Sequence, residues 1–176
     1  NLRRRVAERV ALSDDLNRAI ADDAIVLHYQ PSVSLRTGQV TAMEALARWN
    51  HPTRGRIDAG EFIPVAEETG VIMAIGDWVL QQACNATRHW IDAGVVGQRF
   101  AVHVNVSRIQ LASPAFVNRV VDLLREYRLR PRQIVLEARE TTLLGDSGEV
   151  IRPVRARRRV GVRIALDNFG TGPNAL

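Results

Sequence analysis

Four apolar segments of the chain each carry, toward their ends, a side chain that can bind a hard cation: QVTAMEAL with Glu44, FAVHVNV with Asn105, IVLEARE with Glu137 and VRIALDN with Asp167. Taken singly, each is an ordinary loop or capping residue. Their recurrence is the signal, because parallel strands joined by helices bring their C-terminal ends to one rim, where α/β barrels carry their active sites. Three carboxylates and an amide oxygen suit Mg²⁺, Mn²⁺ or Ca²⁺ rather than zinc, since no thiolate or imidazole cluster stands among them. Gathering three carboxylates without a cation would raise their pKa values and cost stability, so a metal is the simpler account.

The elements that must position these groups follow from periodicity. Residues 1–22 place Leu2, Val6, Val10, Leu16, Ala19 and Ile20 at helical spacing, with Ser13 and the two aspartates behind it as an internal restart, and read as a connector helix. AIVLHYQP (24–31) and QVTAMEAL (39–46), separated by turn residues around Gly38, read as a hairpin. Alternation then sets in. A helix over 76–94 with Ile75, Trp78, Val79, Ala83, Ala86 and Trp90 on one side leads to a strand at 100–106. A helix entered through Ser113 and Pro114, carrying Phe116, Val120, Leu123 and Tyr127, leads to a strand at 134–140, and a helix near 147–159 leads to a strand at 162–168. This is the pattern of right-handed parallel βα units. Strand parity groups Ala101, His103 and Asn105 on one face and the valines on the other, and likewise groups Arg163, Ala165 and Asp167. His103 is expected to be a hydrogen-bonded interior residue rather than a ligand. The basic run at 152–163 is expected to be the solvated face of an amphipathic helix with Val150, Val154 and Val160 turned inward.

Composition bounds the alternatives. With 176 residues, 46% of them hydrophobic and 24% charged, the chain has the makings of one folded domain with a sizeable core. The sequence contains no membrane-spanning apolar stretch and no secretory signal pattern. A single cysteine, Cys84, forms neither an internal disulfide nor a thiolate zinc site. The net charge of +5 is interleaved with 19 acidic residues and only 5% aromatics, which argues against a nucleic-acid polymer as partner. All 24 basic side chains are arginine, so no step that needs a lysine ammonium can run on these residues alone.

The stretch YQPSVSLRTGQVTAMEALARWNHPTRGRI, then EFIPVAEETG, VNVS, VLEARET and ALDNFGTG, resembles the EAL domain family, the cyclic di-GMP phosphodiesterases of bacteria, from about residue 24 to residue 176. The resemblance implies an α/β, TIM-barrel-like fold whose first strand runs antiparallel, here incomplete, with about five of eight strands. It divides the chain into a connector helix over 1–22 and a partial EAL domain over 23–176. It implies metal-dependent hydrolysis of cyclic di-GMP to linear pGpG with Mg²⁺ or Mn²⁺ as cofactor. Glu44, Asn105, Glu137 and Asp167 match the family's metal ligands, and Glu44, Asp167, Asn168 and Glu140 its catalytic set, with Glu140 steadying the loop after Asp167. Gln30, Leu46 and Arg48 match residues that face the nucleotide, line the base pocket and grip a phosphate, the last a task suited to a guanidinium fork. A homodimer, an upstream GGDEF or sensory domain in a longer polypeptide, and a bacterial cytoplasmic location with room for an inner-membrane tether upstream complete the implied context.

Departures from the pattern shape the remaining expectations. Asn168 stands where the family has a second aspartate, Arg139 where a threonine is usual, and Pro173, Asn174 and Ala175 replace a Tyr-Ser-Ser run. The lysine of the sixth strand has no counterpart, so the isolated chain is expected to be catalytically silent. A degenerate module that binds cyclic di-GMP or a partner domain without turnover is the competing function, and an arginine-driven nucleic-acid binder is a third. Arg48 beside Glu44 has the alternative of a plain ion pair. Pro64 and Glu67 are read as turn and capping residues, and Trp49, Trp78 and Trp90 as core or interface aromatics.

Overall fold

A computed structural model of the chain describes the backbone of residues 2–139 and 161–167 and the side chains of 9–138 and 161–165. The expected helix near 147–159, Glu140 and Asn168 lie outside the described residues. A helix α1 (Leu2–Ala19) precedes a hairpin of β1 (Ile25–Val33) and β2 (Val40–His51). A short strand β3 (Gly55–Asp58) then leads into helices α2 (Ala59–Thr69) and α3 (Ile72–Asp92). Next come β4 (Ala101–Asn105), α4 (Arg108–Ala112), α5 (Pro114–Glu126), a single 3₁₀ turn, β5 (Ile134–Arg139) and β6 (Arg163–Asp167).

The strands form one sheet in the order β1-β2-β4-β5-β6, with β3 on the side of β2. β1 runs antiparallel to β2, and β2, β4, β5 and β6 run parallel, as the barrel resemblance requires. Among the described residues the sheet is not closed. The hairpin turns through Gly38, whose φ of +67° is the left-handed value that glycine adopts without a Cβ penalty.

One face of this sheet is sealed by helices. Trp49, Val102, Val104, Ile134 and Leu136 are buried against Ile75, Val79 and Ala83 of α3 and Phe116, Val120 and Leu123 of α5, so the alternate residues of each strand make the core. Ser113 caps α5, its hydroxyl accepting from the Phe116 amide, with Pro114 at the first helical position. Trp49 is a core residue, 1% exposed, whereas Trp90 is half-buried and edge-on to Tyr29 and Phe100.

Two expectations need correction. Residues 59–69 form a helix, with Pro64 inside it and Glu67 in its last turn, rather than the turns read from the sequence. Burial explains this: Phe62, Val65 and Ala66 recur at helical spacing and are all buried, and that packing outweighs the amide that Pro64 lacks. Nor does α1 restart at Ser13; it runs unbroken, and Leu12, Leu16 and Ala19 join the core while Val10 stays exposed. The helix is clasped by the buried His51, whose Nδ1 accepts from the Thr53 and Arg54 amides and whose Nε2–H therefore donates to Asp15 at 3.1 Å. Among the described residues no helix is long and apolar enough to cross a membrane.

Candidate active site

The face of the sheet opposite the core carries most of the residues expected to do chemistry. Pairing register decides which side chains share it, because partners directly across a ladder point the same way and neighbours along a strand alternate. Gln30 pairs with Glu44 across β1 and β2, and Glu44 with His103 across β2 and β4. Asn105 pairs with Glu137 across β4 and β5, and Glu137 with Ala165 across β5 and β6. Leu46 and Arg48 follow Glu44 at intervals of two. Six of the expected site residues, Gln30, Glu44, Leu46, Arg48, Asn105 and Glu137, therefore stand on one face. Asp167 holds a backbone position at the C-terminal end of β6, paired with Arg139.

Two contacts knit the centre of that face. The Asn105 amide donates from Nδ2 to Glu44 Oε1 at 2.8 Å, joining side chains 61 residues apart in sequence. His103 Nδ1 lies 2.5 Å from Glu137 Oε1, the hydrogen bond expected of it, with the imidazole partly exposed on the open face. Each contact engages one oxygen of a carboxylate, and the residues involved are half-buried to exposed. The described part of the expected metal set is thus two carboxylates and an amide oxygen, all hard donors. Among the described residues no three histidine, cysteine, aspartate or glutamate side chains are grouped to hold a cation by themselves.

Local sequence explains why Asn105 is so placed. β4 ends on it, the next amide, Val106, donates to the Glu137 carbonyl at 2.8 Å, and Ser107 opens α4 with a reciprocal capping box to Gln110. Gln110 is 2% exposed and packs against Gly76 of α3, where a Cβ would lie 1.5 Å from its Nε2, so only glycine admits the cap at that place. The turn after β4 is therefore tied to both the neighbouring strand and the helix beneath.

Arg48 departs from the alternative reading. It does not pair with Glu44; its Nε donates to Asp58 Oδ1 at 3.1 Å and a terminal nitrogen donates to its own strand at Ala47. Sequence reasoning missed Asp58, because neither β3 nor the helix it precedes was legible, and the Asp15–His51 clasp, for which it held no signal at all. Cys84, in α3, is buried away from this face, and burial pushes its thiol up to about 12, which removes it as a nucleophile.

The family model of the EAL domain matches residues 13–176. An uncharacterized signaling protein of Caulobacter vibrioides is 43% identical over 97% of the chain and 20% of its own length. The bifunctional diguanylate cyclase/cyclic di-GMP phosphodiesterase MucR of Pseudomonas aeruginosa is 39% identical over 96% of the chain and 24% of its own length. The chain thus spans about a fifth to a quarter of these curated relatives. A solved structure of the PaMucR phosphodiesterase in complex with c-di-GMP superposes with a TM-score of 0.85 at 39% identity, over 92% of this chain and 65% of that one.

Proposed function

Because the chain belongs to the EAL domain family, we propose that it contributes the nucleotide-binding and catalytic face of a cyclic di-GMP phosphodiesterase that yields linear pGpG. The observation that carries this reading is the single open face on which Gln30, Glu44, Leu46, Arg48, Asn105 and Glu137 stand, with Glu44 and Asn105 in direct contact. Glu44, Asn105, Glu137 and Asp167 would hold Mg²⁺ or Mn²⁺. Such ions, when bound, neutralise phosphodiester charge and acidify a water for in-line attack. His103 fixes the Glu137 carboxylate through one oxygen, which orients the other. Arg48 takes a non-bridging pair of phosphate oxygens with its fork, Gln30 faces a nucleotide edge, and Leu46 lines the base. Glu140, the residue after β5 in sequence, would steady the loop that follows Asp167, in which Asn168 stands.

The wider context is proposed on the same grounds: a homodimer, attachment to a GGDEF or sensory domain, and a location where cytoplasmic dinucleotide is met. A second reading, binding without turnover, is favoured by one residue. Asn168 brings a neutral amide where the family has an aspartate, so it carries no charge to a second ion and takes no proton.

Incubating the chain, and any longer polypeptide that contains it, with cyclic di-GMP and Mn²⁺ or Mg²⁺ separates these. Linear pGpG that disappears on chelation supports the phosphodiesterase. Saturable binding with no product supports the second reading, and absence of binding in both polypeptides overturns both.

A further inference from the structure

The arginine assigned above to a substrate phosphate already has an anion. Arg48 Nε donates to Asp58 Oδ1 at 3.1 Å, and Arg56 Nε approaches the same oxygen at 3.9 Å. The arginine side chain is 22% exposed and the carboxylate 67%, so one partner is held and the other is open to exchange. Register fixes the place of this pair. β1 and β3 both pair with Arg48 and Trp49, so they lie on opposite edges of β2. β4 pairs with β2 from Ala42 to Ala45, also opposite β1, so β3 continues along that edge beyond it. Asp58, across from Arg48, therefore shares its face at the C-terminal rim, past Glu44 and Asn105.

Asp58 is also the N-cap of α2, where an aspartate ordinarily accepts from a helix amide. Here it makes no side-chain cap bond, and its carboxylate goes to Arg48 instead. We propose that Asp58 is a resident counter-ion and positioning residue: it aims the Arg48 guanidinium along the rim and sets its phosphate affinity by competing for the Nε–H donor. This rests on the reading of Arg48 as a phosphate ligand for cyclic di-GMP. The dinucleotide phosphate displaces the carboxylate on binding, and Asp58 reclaims the Nε–H when product leaves. Arg56 is left to attend the displaced carboxylate.

The test is a cycle of Asp58→Asn, Asp58→Glu and Arg48→Ala, with cyclic di-GMP binding and turnover measured on the longest active polypeptide, or binding alone if none turns over. An exposed ion pair of ordinary strength corresponds to a gain of roughly two- to fivefold in affinity for Asp58→Asn. KM should fall with it while kcat moves less, Asp58→Glu should restore the wild-type value, and the gain should vanish in the Arg48→Ala background. Wild-type binding with unchanged Asp58→Asn affinity, or an equal gain without Arg48, overturns the counter-ion role and leaves the function intact. If no polypeptide binds cyclic di-GMP, the functional reading falls and this inference with it.

Discussion

Two histidine–carboxylate pairs sit on neighbouring parts of the same sheet, and their surroundings give them opposite tasks. His51 meets Asp15 with its side chain 4% exposed, both ring nitrogens committed, and the Trp49 ring 4.9 Å away. His103 meets Glu137 on the open face, 29% exposed, beside the contact between Asn105 and Glu44. The first pair holds α1 to the end of β2 through one bond and fastens the turn after β2 through the others. The second spends one bond on a carboxylate that stands on the open face of the sheet, among the expected site residues. Pair chemistry alone does not assign function; what lies on the far side of each partner does.

Replacing site and clasp residues separates the two pairs. Glu137→Gln should reduce metal-dependent turnover on the order of 100-fold or more, with the unfolding midpoint nearly unchanged; a comparable loss of stability would make that pair a clasp as well. His103→Ala should weaken metal affinity by about 10- to 100-fold, read by titrating Mn²⁺ against turnover or binding. His51→Ala should cost about 2–3 kcal/mol in denaturant unfolding, since it removes a buried ring and strands its partners, while the folded fraction keeps its dinucleotide affinity. Asp15→Asn sharpens the contrast by pH. The hydrogen bond from His51, and then that from Arg18, hold the Asp15 carboxyl below its ordinary value. A carboxyl lowered on folding stabilises above the unfolded value of about 3.9, and that contribution disappears as pH falls through the lowered one. The stability gap between wild type and Asp15→Asn should therefore be full near neutrality and close in acid; a gap independent of pH would remove the clasp from the account.

The parallel strands and their open face were legible because a period of two is unambiguous where valines alternate with polar residues. His103 and Asn105 fell on one side of β4 by counting alone. The placement of Glu44 against Asn105 followed from the rim argument, although their direct hydrogen bond did not. What stayed hidden has physical causes. Helix α2 hides behind Gly60 and Pro64, residues that ordinarily interrupt helices, and is held by burial of Phe62 and Ala66 that only tertiary structure supplies. β3 has four residues, of which only Ile57 is buried, so it has no alternation to read. Asp58 could not be tied to Arg48 without that strand, nor Asp15 to His51 across 36 residues of chain.

β2 is one continuous strand of 12 residues, and its pairing with β1 runs without a break from Trp49 back to Pro31, opposite Met43. The helix clasp is at its last residue and Glu44 is seven positions earlier, about 23 Å along an extended strand. The strut between them has no joint. A push or twist on the leading helix must therefore carry Arg48, Leu46 and Glu44 along as one body, or else tear the histidine from its aspartate.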